Sequence, residues 1–438
     1  MRILYFFLIF SLIFPACRKP LKVSDPGALA TLDQWVAQQD YFKLHAGLEN
    51  LKPKLSNAHI LYYQAMLDQV FNRPKASNQQ IASLIENSKV PLKDSLMKHL
   101  YEMKLQNHIY LQEYAQAAET NALLVKEYAS LLDSSELDDL ENTWKIWHAL
   151  EAVPAQEFTR NQDVTIPMKK DKVGLFNIQV GIGGRTMDMI FDTGANLSVI
   201  RRSYVDSLGL QLIPAGFEVG ALTGARIKSD LAVAENLQIG GLTFKHVVFL
   251  VFDDADLSIP QVDYHMNGII GFPVIEAMEE IRIRKDNTLF IPREVRPYTD
   301  NNLALDGLTP LVAVAYSGDT LNFHLDTGAP TTALFAPFFR KYEQEIRQGR
   351  EKTEFKTGGA GGIVNFEGYI LDSLRLKIGS SAARLDSIQV HMEDIGAEEG
   401  YFHGNLGQDY IKQFQEMVLS FKYASIRFNN PDEHEIEE

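Results

Sequence analysis

The chain has 438 residues, enough for about two or three domains. Hydrophobic residues make up 45% and charged residues 23%, an ordinary balance for soluble globular protein. The formal net charge of -15 argues against nucleic acid, whose phosphates demand Lys- and Arg-rich faces, and it names no partner by itself.

Residues 1–17 begin with Met1-Arg2 and continue as an apolar run from Ile3 to Phe14, too short to span a bilayer comfortably. Pro15-Ala16 then precedes Cys17, the single cysteine of the chain. The pattern resembles a bacterial lipoprotein signal, although Phe14 and Pro15 depart from the residues usual there. The resemblance implies a mature N-terminus lipidated on Cys17 and a chain anchored in the cell envelope, at the periplasmic face or the cell surface. An ordinary signal peptide with an incidental cysteine is the alternative. In either case no disulfide can form within the chain.

Residues 18–27 read as a polar tether and residues 28–152 as an all-α region. Ala58, Leu61, Tyr62, Ala65, Leu67 and Val70 recur at threes and fours, as do Tyr110, Tyr114, Ala117, Ala118, Val125 and Tyr128. Leu137, Leu140, Trp144 and Trp147 continue the pattern, and Pro53, Pro74 and Pro91 punctuate it. The stretch from Tyr110 to Tyr128 loosely resembles a tetratricopeptide-repeat helix. No second copy follows at a fixed period, so an irregular bundle is an equal reading. A protein partner for this region is possible, but no residue marks a site.

Composition changes between residues 152 and 163. Glycine becomes frequent and short Val, Ile, Leu and Phe segments alternate with polar residues, as in β structure. Residues 163–297 and 303–430 then read as two copies of one all-β unit, and residues 431–438 as an acidic tail. Each copy has a hairpin leading into Asp-Thr-Gly-Ala, at Asp192-Thr193-Gly194-Ala195 and at Asp326-Thr327-Gly328-Ala329. Gly271 follows Asp192 by 79 residues and Gly407 follows Asp326 by 81, each opening a helix-like segment before two closing strands.

An aspartate at the end of an apolar strand is costly to bury unless something pairs with it, and two in similar settings could pair with each other. Two carboxyl groups in contact hold one proton between them, because like charges so close do not both ionise. Such a pair can activate a water and protonate a carbonyl oxygen, the requirements of peptide hydrolysis. Thr193 and Thr327 would lock the loops by hydrogen bonds, and Gly194 and Gly328 would supply the turns and let their backbone N–H groups approach the carboxylates.

These motifs, with their downstream apolar-Gly elements, resemble the active-site motifs of aspartic proteases. Asn196-Leu197-Ser198-Val199-Ile200 continues the first copy in the manner of the bacterial retropepsin-like family. The resemblance covers residues 163–430. It implies two closed-barrel units forming a pseudo-dimer, with catalytic Asp192 and Asp326 between them and a peptide or protein substrate. It also implies flaps, with candidates around Gly220, Thr223 and Gly224 and around Gly359 and Gly361. Plain flexible loops are an equal reading of those two stretches. Pairing of the units within one chain or between chains is left open. The alternative to an aspartic endopeptidase is an inactive, peptide-binding lipoprotein on the same fold.

Two residues break the repeat. Asn405 stands where an apolar residue is usual, and a polar group beneath an active-site loop needs a partner. His324 stands where the first copy has Ile190. Ile190 and His324 are the candidate pocket residues, and His324 could also tune the pair near neutral pH. No metal constellation and no cofactor motif is present; a phosphate loop at Gly358–Gly362 is disfavoured by the Ile363-Val364 that follows.

Overall fold

The structure, a computed structural model, describes residues 22–87, 92–220, 226–359, 362–394 and 401–430. Cys17, Thr223, Gly224, Gly361 and the acidic tail lie outside the described residues.

The helical region runs through α1 (Pro26–Ala37), α2 (Tyr41–Leu51), α3 (Asn57–Val70), α4 (Pro74–Glu86), α5 (Asp94–Tyr110), α6 (Tyr114–Tyr128) and α7 (Ser134–Ala149). Pro26 and Gly27 are helical rather than part of a tether. Pro26 fills a first-turn position that needs no N–H donor, and the Asp25 carboxylate accepts from Ala28 N at 2.8 Å. A reciprocal cap between Asp133 and Glu136 starts α7. Three helix-to-helix turns share one device, a left-handed residue just past the helix end: Gln39 (φ 50°), Asn72 (φ 57°) and Gln112 (φ 55°). Their spacings, 33 and 40 residues, are unequal, and no fixed period is legible in the sequence. Among the described residues no helix is long and apolar enough to cross a membrane.

Past residue 150 the chain becomes β-rich. First come β1 (Glu157–Thr159), β2 (Val164–Pro167), β3 (Lys169–Lys170), β4 (Phe176–Ile182), β5 (Arg185–Phe191) and β6 (Ser198–Arg201). The long strands β7 (Gln211–Gly220), β8 (Arg226–Ile239) and β9 (Leu242–Phe252) follow. Then come β10 (Ser258–Ile259), β11 (Tyr264–His265), β12 (Gly268–Ile270), helix α8 (Phe272–Ala277), β13 (Glu280–Arg284) and β14 (Thr288–Ile291). The second set opens with β15 (Leu303–Asp306), β16 (Thr309–Tyr316), β17 (Asp319–Leu325) and β18 (Ala333–Leu334). Helix α9 (Ala336–Arg347) precedes β19 (Thr353–Gly359), β20 (Gly362–Ile378) and β21 (Ser381–His391). The set ends with β22 (Gly404–Leu406), helix α10 (Gln408–Ile411), β23 (Glu416–Ser420) and β24 (Ser425–Asn429).

The first set is hydrogen-bonded in the order β1-β9-β6-β12-β5-β4-β8-β7, with β8 also paired to β9. The second runs β15-β16-β17-β22-β18-β21-β20-β19, with β16 also paired to β20. The succession β9-β6-β12-β5-β4-β8 therefore corresponds strand for strand to β21-β18-β22-β17-β16-β20. The closing strands do not stay within their own copies. They join as β2-β14-β13-β23-β24, with Ile281 opposite Leu419 across β13 and β23. Period-2 alternation along β4, where Phe176, Ile178, Val180 and Ile182 are all buried, is what packs this face. One continuous core holds side chains of both β sets, from Val164 to Phe428.

The helices are not a detached module. Leu311, Phe335 and Phe402 pack in one cluster with α1 to α5, among them Leu32, Leu48 and Tyr63. Ile190, Val199, Phe217, Ile227 and Ile269 pack in another with Leu105, Tyr114, Ile146 and Trp147.

Candidate active site

β5 and β17 each deliver an aspartate to the end of a buried strand. Phe191 and Leu325, the residues just before them, are wholly buried in the common core. β12 lies parallel to β5, so Asp192 N donates to Ile270 O at 3.1 Å. β22 lies parallel to β17, so Asp326 N donates to Leu406 O at 3.0 Å.

Each loop is then tied to the other by its threonine. Thr193 Oγ1 donates to Leu325 O at 2.7 Å and accepts from Thr327 N at 3.0 Å. Thr327 Oγ1 donates to Phe191 O at 2.8 Å and accepts from Thr193 N at 3.0 Å. All four bonds are buried, so water does not compete for them.

Gly194 N donates to Asp192 Oδ1 at 2.8 Å, and Gly328 N donates to Asp326 Oδ1 at 2.7 Å. Both glycines lie in turns, closed by Ala195 N to Asp192 O at 3.4 Å and Ala329 N to Asp326 O at 3.3 Å, but neither has positive φ, so the turn alone does not demand glycine. Space is what demands it. A Cβ on Gly328 would lie 2.4 Å from Asp192 Cγ, and one on Gly194 would lie 2.9 Å from Asp326 Cγ. Each glycine lets the opposite carboxyl come close. The two half-buried carboxyls lie close across the loops, and burial together with the Asp326 charge pushes Asp192 well above the usual carboxylate range.

Gly271 and Gly407 support these loops from beneath. A Cβ on Gly271 would lie 2.6 Å from Leu197 O, and one on Gly407 would lie 2.7 Å from Thr331 O. Gly271 N donates to Ser198 Oγ and Gly407 N to Thr332 Oγ1, both at 3.1 Å. Phe272 N and Gln408 N reach back to Ala195 O and Ala329 O at 2.8 and 2.9 Å. Ser198 and Thr332 were not read from the sequence as site residues. The available signal was a hydroxyl six residues after each aspartate.

The two pocket candidates part ways. Ile190 is buried beside Ile269 in the cluster with the helices. His324 packs its ring on Phe402 at 4.0 Å between centroids, and its buried Nε2 has no partner. Burial pushes His324 down to about 4, which disfavours a charged imidazole near pH 7. The partner Asn405 needs is Asp326: Asn405 Nδ2 donates to Asp326 Oδ2 at 2.8 Å.

The flap candidates lie on hairpins. Gly220 ends β7, opposite Arg226 on β8, and Gly359 ends β19, opposite Gly362 on β20. Asn142 of α7 holds β7 at Glu218, donating to its carbonyl at 2.7 Å and accepting from its N–H at 2.9 Å. Among the described residues no group of three His, Cys, Asp or Glu side chains could hold a metal ion.

Residues 178–274 match the aspartyl protease family. The match spans Asp192, Thr193, Gly194 and Gly271 and stops short of the second triplet. This part of the chain is thus an aspartyl protease-like domain, which points to protease-type function. No curated protein matches the chain.

Proposed function

We propose that the protein is an aspartic endopeptidase whose Asp192 and Asp326 form one catalytic dyad between two tandem retropepsin-like units of a single chain. Each unit is a closed barrel in this reading, as the additional β8–β9 and β16–β20 pairings suggest. The observation that carries the proposal is the reciprocal contact of the two loops. Each threonine bonds the other's backbone, and each glycine leaves room for the other's carboxyl.

The chemistry follows from one shared proton. The ionised carboxyl takes a proton from a water as its oxygen bonds to the peptide carbonyl carbon. The protonated carboxyl gives its proton to the carbonyl oxygen. Collapse of the tetrahedral diol breaks the C–N bond: one carboxyl gives its proton to the leaving nitrogen while the other takes the proton of a diol hydroxyl, which becomes the carbonyl of the new acid. Water is consumed and the dyad ends as it began. Lipidation of Cys17, with anchoring in the cell envelope, completes the reading; mass spectrometry of the mature N-terminus tests that part.

The test of the activity is cleavage of a peptide library by purified residues 18–438 from about pH 3 to 8, with and without a statine-type inhibitor. Asp192→Asn and Asp326→Asn are each expected to abolish cleavage. Half-activity in each would mean two independent sites, and an inert wild type would leave a peptide-binding protein.

A further inference from the structure

The two aspartates are not equally supported. In the first β set Ile269 lies opposite Ile190, and in the second Asn405 lies opposite His324. Asn405 and Ile269 thus occupy matching positions, two residues before Gly407 and Gly271. Asn405 donates to Asp326 Oδ2 at 2.8 Å while Gly328 N donates to Oδ1 at 2.7 Å, so both oxygens of Asp326 accept. Ile269 can offer Asp192 nothing equivalent. Turning the Asn405 amide over would set its oxygen against the carboxylate, so the donor orientation suits an ionised Asp326. The remaining amide oxygen is buried with no partner, a cost the isoleucine at the matching position does not carry.

We propose that Asn405 is a positioning residue that places the negative charge of the pair on Asp326 and leaves the shared proton on Asp192. The proposal rests on the hydrolytic reading above and adds roles to it. Asp326 takes the proton of the attacking water, and Asp192 protonates the carbonyl oxygen. Three titratable groups near Asp326 in the chain or in space lie among the described residues. Asp192 faces it from the other loop. His324 lies two residues earlier on β17, and His403 lies on the approach to β22. Burial pushes both histidines down to about 4 and keeps them neutral. Burial and the Asp326 charge hold Asp192 up, against weaker opposition from the Gly194 and Ala195 N–H groups.

The test is Asn405→Ile, which gives the second copy the first copy's residue. Losing a hydrogen bond to a charged group raises the lower titration of the pair. The acid limb of kcat/KM is therefore expected to move up by roughly one to two pH units. The alkaline limb stays, because the bond is present on both sides of that step. The exchange variant Ile269→Asn/Asn405→Ile restores a donor, now on Asp192, and returns the acid limb toward wild type. Carboxyl carbon-13 titrations, assigned with Asp192→Asn and Asp326→Asn, read the same shift without turnover, so an inactive wild type still yields an answer. An unmoved lower titration in folded Asn405→Ile overturns the proposal, as does a shift of the upper titration alone. If Asn405→Ile does not fold, the exchange variant decides: its lower-titrating carboxyl must be Asp192.

Discussion

Replacing Thr327 by valine keeps the shape of the side chain and removes one oxygen from the centre of the molecule. That oxygen accepts from Thr193 N and donates to Phe191 O, and both threonines are completely buried. Valine would strand an N–H and a carbonyl where water does not reach. At about 1–3 kcal/mol for each unsatisfied group, the cost is about 2–6 kcal/mol. Domains are stable by only about 5–15 kcal/mol, so a substantial share is at risk. A chain of this size is not expected to unfold in two states, so a single melting temperature is a poor readout. All three tryptophans, Trp35, Trp144 and Trp147, lie in the helices, so their fluorescence does not report the Asp-Thr-Gly loops directly. Amide hydrogen exchange at Thr193 is the direct assay. Protection there is expected to fall at least tenfold in Thr327→Val, and protection at Thr327 to fall similarly in Thr193→Val. Undiminished protection of Thr193 in Thr327→Val would refute the idea that these hydroxyls hold the loops together.

Gly328→Ala is expected to impair peptide hydrolysis more than Gly194→Ala, because its Cβ would meet the opposite carboxyl at 2.4 rather than 2.9 Å; relative kcat/KM checks the order. Asp192 has a folded-state pKa raised above its unfolded value, so its contribution to stability is complete below about pH 4 and is lost as pH rises through the raised value. Asp192→Asn, which cannot ionise, should therefore gain amide protection at Thr193 over wild type, after correction for intrinsic exchange rates, as pH goes from about 4 to 8; a difference independent of pH would contradict this. Asn142→Ala removes both bonds to Glu218, worth about 0.5–1.5 kcal/mol each, and should speed exchange of the Glu218 amide while leaving Thr193 unchanged.

The repeat was legible because its parts are local. A hairpin, an apolar strand and a Gly-rich triplet each leave a short pattern, and matched offsets to Gly271 and Gly407 tie them together. Asn405 stood out for the same reason, as a polar residue at an apolar position. Its partner was not legible, because only the fold brings β22 beside β17. The antiparallel sheet of β2, β14, β13, β23 and β24 was hidden likewise: β13, β14, β23 and β24 read as ordinary closing strands, and nothing in their pattern says that β13 will pair with β23. The turns at Gly194 and Gly328 were legible, but not the closeness of the opposing carboxyl, which only the fold brings into the space a Cβ would need.

The helical region changes how the two hairpins compare. An edge strand presents unpaired backbone groups, and β7 and β19 stand at the free ends of their sheets. α7 covers β7: Asn142 satisfies Glu218 as a neighbouring strand would, and Phe217, Val219 and Ile227 pack in a cluster with Ile146 and Trp147. β19 has no such cover over its first half, where Thr353, Glu354 and Lys356 are exposed and Phe355 alone is buried. Two hairpins that match in topology therefore differ in what must break before they open. Opening the first would expose apolar surface shared with the helices, while opening the second disturbs mainly its own pairing. The asymmetry seen at Asn405 thus has a counterpart at the hairpins, and in both places it comes from residues outside the Asp-Thr-Gly triplets.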